Sequence, residues 1–186
     1  MTRLQRLFFA LTLSIAPSVS AADAPQAEQS CPALFDHAFK KLHSNDTLNL
    51  CDLYTGKPMI LINTASHCGY TRQFKGLEAL YQKYKKEGVE LVGFASDDFK
   101  QAAKSEMEAA SICYKNYGVT FSMIAPTHVR GDDANEVFTR LNRQAGKPSW
   151  NFNKYLVSAD GSQIQRFGSN TEPTDSALEK ALIKAL

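Results

Sequence analysis

The chain has 186 residues, of which 44% are hydrophobic, and its formal net charge is +2. This length suits one domain that buries its own core. So small a charge argues against a basic nucleic-acid-binding surface. The densest basic run, Lys83-Tyr84-Lys85-Lys86, is typical of the solvated end of a helix.

The first 21 residues have the pattern of a secretory signal peptide. After a basic start, Leu7 to Ile15 form a short apolar core, and Val19-Ser20-Ala21 ends in small residues, which predicts cleavage near Ala21. The alternative is a membrane anchor. It is disfavoured because Pro17 and the polar residues after it leave too few apolar residues to span a bilayer.

Export, with the bacterial periplasm as the expected location, follows from this signal. Its removal leaves about 165 residues, still the size of one domain. The remaining 19 basic and 19 acidic residues balance, and no other stretch is apolar enough for a membrane span. We expect residues 22–30, rich in Ala, Gln and Pro, to be flexible and residues 31–186 to form the domain.

The cysteines follow the signal, and an exported chain can keep disulfides. They are Cys31, Cys51, Cys68 and Cys113. Three pairings are possible in principle. Cys31 and Cys51 flank a segment, Phe35 to Leu50, whose apolar residues on either side of Ser44-Asn45-Asp46 predict a hairpin. Joining this pair closes a loop of about 20 residues, worth about 3 kcal/mol. The pair is therefore predicted to be a structural disulfide.

Cys68 lies where a predicted buried strand, Met59 to Ile62, turns into a predicted helix that runs from about Phe74 to Gly88. Unpaired amides at the start of a helix favour a thiolate, which is the nucleophilic form. The motif Cys68-Gly69-Tyr70-Thr71 has no second cysteine three positions on. This disfavours a dithiol exchanger and favours a single nucleophile that reacts with an oxidant.

Strands and helices alternate along the rest of the chain. The order predicts a thioredoxin-like three-layer α/β/α sandwich with an N-terminal β-hairpin. The predicted elements are a strand at Val89–Phe94, a helix at Ala102–Tyr117, a strand at Val119–Ile124, a helix at Asn135–Leu141, two strands at Phe152–Val157 and Gln163–Phe167, and a helix from Pro173 to Leu186.

Three ordered motifs resemble those of the glutathione peroxidase family, in the form that uses cysteine in place of selenocysteine. They are Asn63-Thr64-Ala65-Ser66-His67-Cys68-Gly69-Tyr70-Thr71, Leu91-Val92-Gly93-Phe94-Ala95-Ser96-Asp97-Asp98-Phe99 and Trp150-Asn151-Phe152. The resemblance covers the chain from about Phe35 onward, and its implied fold agrees with the predicted one.

The resemblance places Cys68 at the peroxidatic position, where the thiolate attacks a peroxide oxygen and becomes a sulfenic acid. It implies that Trp150 and Asn151 direct N–H donors at that sulfur. Such donors stabilise a thiolate and the charge that develops on the leaving oxygen. Trp150 is the only tryptophan, and the alternative role for its ring is core packing.

Asp98 stands where the family has a glutamine, if no gap intrudes, and this departure affects the predicted site. An ionised carboxylate donates no hydrogen bond and opposes a nearby thiolate. Asp98 is therefore protonated, points away, or contributes less than glutamine. Its alternative role is to cap the following helix. The family's Gln-Glu-Pro run is also replaced, by Lys100-Gln101-Ala102-Ala103.

Cys113 matches the resolving cysteine of the thioredoxin-dependent branch of the family. There it attacks the sulfenic acid, and an external dithiol protein reduces the resulting disulfide. The alternative is an inert, buried helix cysteine. Resolution requires part of the helix to unwind, and its Ala-rich face offers little resistance. His67, next to Cys68, is at most a minor tuner of the thiol.

The predicted function is therefore reduction of hydrogen peroxide or organic hydroperoxides, with a thioredoxin-like protein or glutathione as reductant and with neither a cofactor nor a metal. The histidines lack metal-ligand spacing. The segment between Met123 and Trp150 is short, which favours a monomer. Two alternatives stay open: a periplasmic redox sensor or binding protein without efficient turnover, and a general disulfide exchanger.

Overall fold

The computed structural model describes residues 30–186, and the predicted signal peptide lies outside them. The strands are β1 (Ala38–Lys40), β2 (Thr47–Asn49), β3 (Met59–Thr64), β4 (Glu90–Ala95), β5 (Ser122–Ile124), β6 (Lys154–Val157) and β7 (Ile164–Phe167). The α-helices are α1 (Gln73–Tyr84), α2 (Glu106–Ala110), α3 (Glu136–Ala145) and α4 (Ala177–Ala185). Short 3₁₀ turns follow β2 and α1, at Leu50–Leu53 and Lys85–Glu87.

The five strands β3 to β7 form one mixed sheet in the order β5-β4-β3-β6-β7. β3, β4 and β5 run parallel, and β6 is antiparallel to both β3 and β7. Each parallel pair is joined through a helix, as a crossover connection requires. β3 lies at the centre and is buried at all six positions, as its uninterrupted apolar sequence predicts.

Two hydrophobic cores lie on opposite faces of the sheet. Ile60 and Ile62 of β3 belong to the core that contains α1 and α4, whereas Met59 and Leu61 belong to the core that contains α3. This alternation follows from the two-residue period of a strand. The antiparallel pair β1–β2 contributes to the α3 side. The predicted α/β/α sandwich with an N-terminal hairpin is confirmed.

Helix α2 begins later than predicted, and a π-helical turn follows it. The predicted start at Ala102 was wrong: the helix begins at Glu106, and the Ser105 hydroxyl accepts the Glu108 N–H at 3.2 Å. Beyond Ala110 the chain continues as a π-helical turn over Ser111–Asn116. Such turns are rare and are frequently found at functional sites.

The residues before α2 stay in a loop because one local side chain and one residue distant in sequence bond with their backbone groups. The Asp97 carboxylate accepts the Ala102 N–H at 3.0 Å, and the Gln101 carbonyl accepts the His67 N–H at 2.9 Å. Lys100 has a φ of 57°, which is incompatible with a right-handed helix. The tertiary contacts therefore override the helical propensity of the alanines.

The last helix also begins later than predicted, at Ala177 rather than at Pro173. Ser176 caps it by accepting the Leu178 N–H at 3.1 Å. Pro173 instead packs on α1, where a Cβ added to Gly76 would lie 3.1 Å from its ring. Similarly, β5 is shorter than the predicted strand and starts at Ser122.

Candidate active site

Cys68 lies in the turn between β3 and α1, and 7% of its surface is exposed. Thr71 closes this turn with its hydroxyl, which accepts the Cys68 N–H at 3.0 Å and donates to the Ala65 carbonyl, also at 3.0 Å. The Thr71 N–H in turn donates to the Cys68 carbonyl at 2.9 Å. These bonds hold the cysteine backbone rigidly below the surface.

A backbone amide of the turn reaches the sulfur. The Tyr70 N–H donates to Cys68 Sγ at 3.5 Å. The predicted source of such a donor was the start of the helix, but α1 begins at Gln73, five residues beyond Cys68. The amide dipole that faces the sulfur therefore comes from the turn itself. The Tyr70 hydroxyl donates to Asn170 and so ties the turn to the loop after β7.

Asn63, in β3, positions the segment that carries Trp150 and Asn151. Its side chain donates to the Trp150 carbonyl at 3.0 Å and accepts the Asn153 N–H at 3.0 Å. Its backbone carbonyl accepts the Phe152 N–H at 2.7 Å. Residues 150–153 are thereby fixed beside the strand that leads into the Cys68 turn.

Asn151 is fully buried, whereas Trp150 is 39% exposed. The Asn151 amide nitrogen donates to Gln101 Oε1 at 3.5 Å, and its Oδ1 is buried without a partner. Among residues 30–186, neither the Trp150 indole nor the Asn151 amide hydrogen bonds with Cys68 Sγ. Their role as donors to the sulfur stays a prediction.

Gln101 is a site residue that the sequence analysis passed over as part of a divergent run. Its side chain contacts Asn151, and its carbonyl accepts the N–H of His67, the residue before Cys68. It therefore joins the Asn151 segment to the cysteine turn. A gap placed after Asp98 in the motif comparison would have brought this amide under consideration.

Asp98 is directed at the segment that follows β5. Its Oδ1 lies 2.7 Å from His128 Nδ1, and its Oδ2 accepts the N–H groups of Val129 and Arg130 at 2.7 and 3.2 Å. Burial alone would raise the pKa of Asp98, but the Val129 N–H and the His128 ring outweigh it and lower the pKa. Asp98 is therefore ionised and bonded to the segment that follows β5. It does not cap α2, because Ser105 occupies that position.

A buried lysine beside the start of α1 was also missed. Lys154 is fully buried and donates to Gln73 Oε1 and to the Thr171 carbonyl, each at 2.7 Å. Burial lowers the pKa of its ammonium group to about 8. Gln73 is the first residue of α1 and also donates to the Ser169 carbonyl at 2.8 Å, so the amine links the start of α1 to the loop after β7.

Cys113 is a free thiol in the π-helical turn and is 3% exposed. It belongs to the same hydrophobic core as Cys68, which is also a free thiol. Burial raises the pKa of Cys113 to about 12, so the thiol is protonated where it lies. The remaining cysteines, Cys31 and Cys51, form a disulfide with a Cα–Cα distance of 5.7 Å.

Residues 30–186 contain no group of three or more His, Cys, Asp or Glu side chains placed to hold a metal ion. Over the same range, no helix has the length and apolar character needed to cross a membrane. A thioredoxin-like fold with a single cysteine held in the turn after its central strand defines a cysteine-dependent oxidoreductase.

Comparison with known proteins identifies the family. The sequence profile described as glutathione peroxidase matches residues 34–142, more than half of the chain. A glutathione peroxidase of Lactococcus lactis is 39% identical over 158 residues, which cover 82% of this chain and 98% of that protein. A glutathione peroxidase-like peroxiredoxin of Schizosaccharomyces pombe is 45% identical over 124 residues, which cover 63% and 78%.

A solved structure supports the same assignment. The crystal structure of Trgpx in its apo form aligns with a TM-score of 0.63 and 30% identity, covering 82% of this chain and 94% of that one. The chain belongs to the glutathione peroxidase family. It is a thiol-dependent peroxidase.

Proposed function

We propose that the protein reduces hydrogen peroxide or organic hydroperoxides through a sulfenic acid on Cys68 that Cys113 resolves. The observation that carries the proposal is the position of the two free thiols in one hydrophobic core, with Cys68 Sγ accepting the Tyr70 N–H. Cys31 and Cys51 are joined in a disulfide, so the two free thiols are the ones available for the reaction.

In the first step the Cys68 thiolate attacks one peroxide oxygen. A sulfur–oxygen bond forms as the oxygen–oxygen bond breaks, and the departing oxygen takes a proton and leaves as water or an alcohol. The unpaired Oδ1 of Asn151 and its weakly held amide N–H are available to a bound hydroperoxide, since buried polar atoms normally have partners.

In the second step the Cys113 thiol attacks the sulfenic sulfur and releases water, which leaves a Cys68–Cys113 disulfide. Cys113 is buried and protonated in the folded helix, so its turn has to open first. The π-helical turn at Ser111–Asn116, a rare geometry that is frequent at functional sites, is the segment that we propose opens locally. A thioredoxin-like dithiol protein then reduces the disulfide by exchange, with glutathione as the alternative reductant.

Stopped-flow fluorescence of the reduced protein mixed with hydrogen peroxide tests both steps. Trp150 is the only tryptophan and follows the reaction without a label. We expect a fast peroxide-dependent phase that is lost in Cys68→Ser and a second phase that is lost in Cys113→Ser. If Cys113→Ser keeps both phases, Cys113 is an inert core cysteine. If Cys68→Ser keeps the fast phase, the assignment of the nucleophile is wrong.

We also propose that the protein is exported, with residues 1–21 removed. The Cys31–Cys51 disulfide supports this, because such bonds persist in oxidising compartments. The intact mass of protein recovered from a periplasmic extract tests it: a chain beginning at residue 22 supports export, and a full-length chain confined to the cytoplasm contradicts it.

For the assembly state we propose a monomer, on the ground that the segment from Met123 to Trp150 is short and contains only α3 as a helix. Light scattering coupled to size-exclusion chromatography tests this. A mass near 20.6 kDa or below supports a monomer, and a multiple of that mass contradicts it.

A further inference from the structure

The loop that follows β7 lies between the two halves of the candidate active site. One half is the turn that carries Cys68, and the other is the segment that carries Asn151. The loop spans residues 168–171, and the Thr171 N–H closes it by donating to the Gly168 carbonyl at 3.0 Å. We call residues 168–171 the Ser169 loop, because Ser169 bonds to both halves.

The Ser169 hydroxyl joins the loop to the Asn151 segment. It donates to the Asn151 carbonyl at 2.6 Å and accepts the Asn153 side-chain N–H at 3.1 Å. Ser169 is 8% exposed, and Asn151 and Asn153 are fully buried. Loss of the hydroxyl would therefore leave the buried Asn151 carbonyl without this partner, which costs more than the loss of an exposed hydrogen bond.

The Ser169 carbonyl joins the same loop to the Cys68 turn. It accepts the Gln73 side-chain N–H at 2.8 Å. The Gln73 backbone N–H donates to the Tyr70 carbonyl at 2.8 Å, and the Tyr70 N–H donates to Cys68 Sγ. The Tyr70 hydroxyl also donates to the Asn170 side chain. Ser169 is therefore bonded through its hydroxyl to one half of the site and through its carbonyl to the other.

Lys154 holds the loop in place from below. Its buried ammonium group donates to the Thr171 carbonyl and to Gln73 Oε1, each at 2.7 Å, and lies 3.4 Å from the Ser169 carbonyl oxygen. A buried charge that loses its partners is costly. The loop therefore cannot shift away from α1 without leaving the ammonium group under-bonded, and this makes it a rigid spacer between the two halves.

We propose that the Ser169 loop fixes the place of the Asn151 side chain relative to Cys68 Sγ, with Ser169 as the positioning residue for peroxide reduction. This rests on the proposed peroxidase function and adds a residue to it. The Asn151 amide has one weak bond, at 3.5 Å to Gln101, and its Oδ1 has no partner. Its place therefore depends on the backbone. Asn63 bonds to the residues on either side, whereas Ser169 bonds to Asn151 itself.

The test compares two reactions of the Cys68 thiol, oxidation by hydrogen peroxide in single turnover and alkylation by iodoacetamide. Both are run in Cys113→Ser protein with the Cys31–Cys51 disulfide intact, so Cys68 is the only free thiol. Oxidation depends on polar groups that meet the departing oxygen, whereas alkylation needs only an accessible thiolate. The ratio of the two rates separates misplacement of Asn151 from loosening of the whole site.

The variants are Ser169→Ala, which removes the hydroxyl, and Ser169→Thr, which keeps it. The matched control is Ser162→Ala. It also removes a serine hydroxyl that donates a hydrogen bond, to Asp160 at 2.7 Å, but in the exposed turn between β6 and β7. Ser169→Ala is also made in an Asn151→Ala background, so that a double-mutant cycle measures the coupling between the two residues.

We expect Ser169→Ala to slow oxidation about fivefold, the equivalent of about 1 kcal/mol for one hydrogen bond, and to leave alkylation unchanged. Ser169→Thr should keep most of the oxidation rate, and Ser162→Ala should keep both rates. In the Asn151→Ala background, Ser169→Ala should cause no further loss, because the side chain that it positions is gone.

Tyr70→Phe gives an independent test at the surface, which decides the matter if Ser169→Ala does not fold. It removes only the hydroxyl that bonds to Asn170 and keeps the backbone N–H near Cys68 Sγ. Oxidation should slow about twofold, since an exposed hydrogen bond is worth less than a buried one. An unchanged oxidation rate in Tyr70→Phe, with Ser169→Ala unfolded, overturns the proposal.

An unchanged oxidation rate in Ser169→Ala overturns the positioning role, and so does an equal change in oxidation and alkylation, which would mean that Ser169 only maintains the fold. A full additional loss in the Asn151→Ala background overturns it too, as does Asn151→Ala protein that oxidises at the wild-type rate. These outcomes leave the peroxidase function standing. A parent protein whose Cys68 is alkylated but not oxidised by peroxide overturns that function itself.

Discussion

His67 Nε2 lies 2.9 Å from Glu108 Oε1, so the residue before Cys68 is tied to the helix that leads to Cys113. The other oxygen of Glu108 accepts the Lys104 N–H at 3.1 Å. Glu106, in the same turn, bonds to Lys40 at 2.8 Å and accepts the His43 N–H at 3.1 Å. These polar contacts hold α2 on the body of the protein, and opening of the helix has to break some of them.

Glu108→Ala is therefore expected to speed the formation of the Cys68–Cys113 disulfide. The pair is half exposed, so the effect is modest: about 1 kcal/mol at most, or up to about fivefold in rate. The measurement is the second phase of the stopped-flow trace. The control is Glu87→Ala, which removes the same type of side chain at an exposed position. A slower or unchanged second phase would contradict a retaining role for this contact.

The Asp98–His128 pair should give the protein a stability that depends on pH. The pKa of His128 is raised by its hydrogen bond to Asp98 and by the charge of that carboxylate. Its stabilisation is complete below the ordinary imidazole pKa of 6.5 and is lost as the pH rises through the raised value. The lowered pKa of Asp98 gives a stabilisation that is complete above its ordinary value of 3.8 and is lost as the pH falls through the lowered value.

We therefore expect Asp98→Asn to destabilise the protein most between about pH 4 and 6.5. Urea unfolding of wild type and variant at pH 3, 5.5 and 8.5 measures the difference at each pH. Asp46→Asn, at an exposed turn of the hairpin, is the control and should show no such maximum. A deficit that is the same at all three values would mean that the carboxylate acts only through the backbone amides.

Lys154 should destabilise the folded state at neutral pH and do so less as the pH rises. Its folded pKa of about 8 lies below its ordinary value of 10.5, so the unfolded chain binds more protons between these values. Stability from this group therefore increases with pH across that range, by on the order of 3 kcal/mol.

The measurement is the unfolding free energy from pH 7.5 to 10 for the wild type, Lys154→Met and the exposed control Lys75→Met. The control should follow the wild type, whereas Lys154→Met should lose the gain. Parallel curves for all three proteins would show that the amine stays charged throughout.

Removal of the Cys31–Cys51 bond should destabilise the domain without touching the nucleophile. The two cysteines are 20 residues apart in sequence, and the cross-link restricts the unfolded chain. The double variant Cys31→Ser/Cys51→Ser is expected to lose about 3 kcal/mol. Urea unfolding measures the loss, and the fast peroxide phase is the control for an intact site. Equal free energies of unfolding for the wild type and the double variant would mean that the disulfide does not stabilise the domain.

The sequence by itself determined the architecture and pointed to Cys68 as the candidate reactive residue. The uninterrupted apolar run of β3 requires cover on both faces, and the structure buries all six of its positions. Cys68 could be singled out because a strand-to-helix junction is a local pattern. The helical spacing after Phe74 likewise predicted α1, since periodic burial is written into neighbouring residues.

Only the tertiary structure decided how the surroundings of Cys68 are built. Gln101 lies in a loop because its carbonyl accepts a hydrogen bond from the N–H of His67, which is far away in sequence. Asp98 turns toward Val129 and Arg130 for the same kind of reason. Hydrogen bonds between distant segments leave no periodic trace in the sequence, and each outweighs a weak local propensity. Local patterns therefore predicted which cysteine is reactive, and contacts between distant segments decided which side chains surround it.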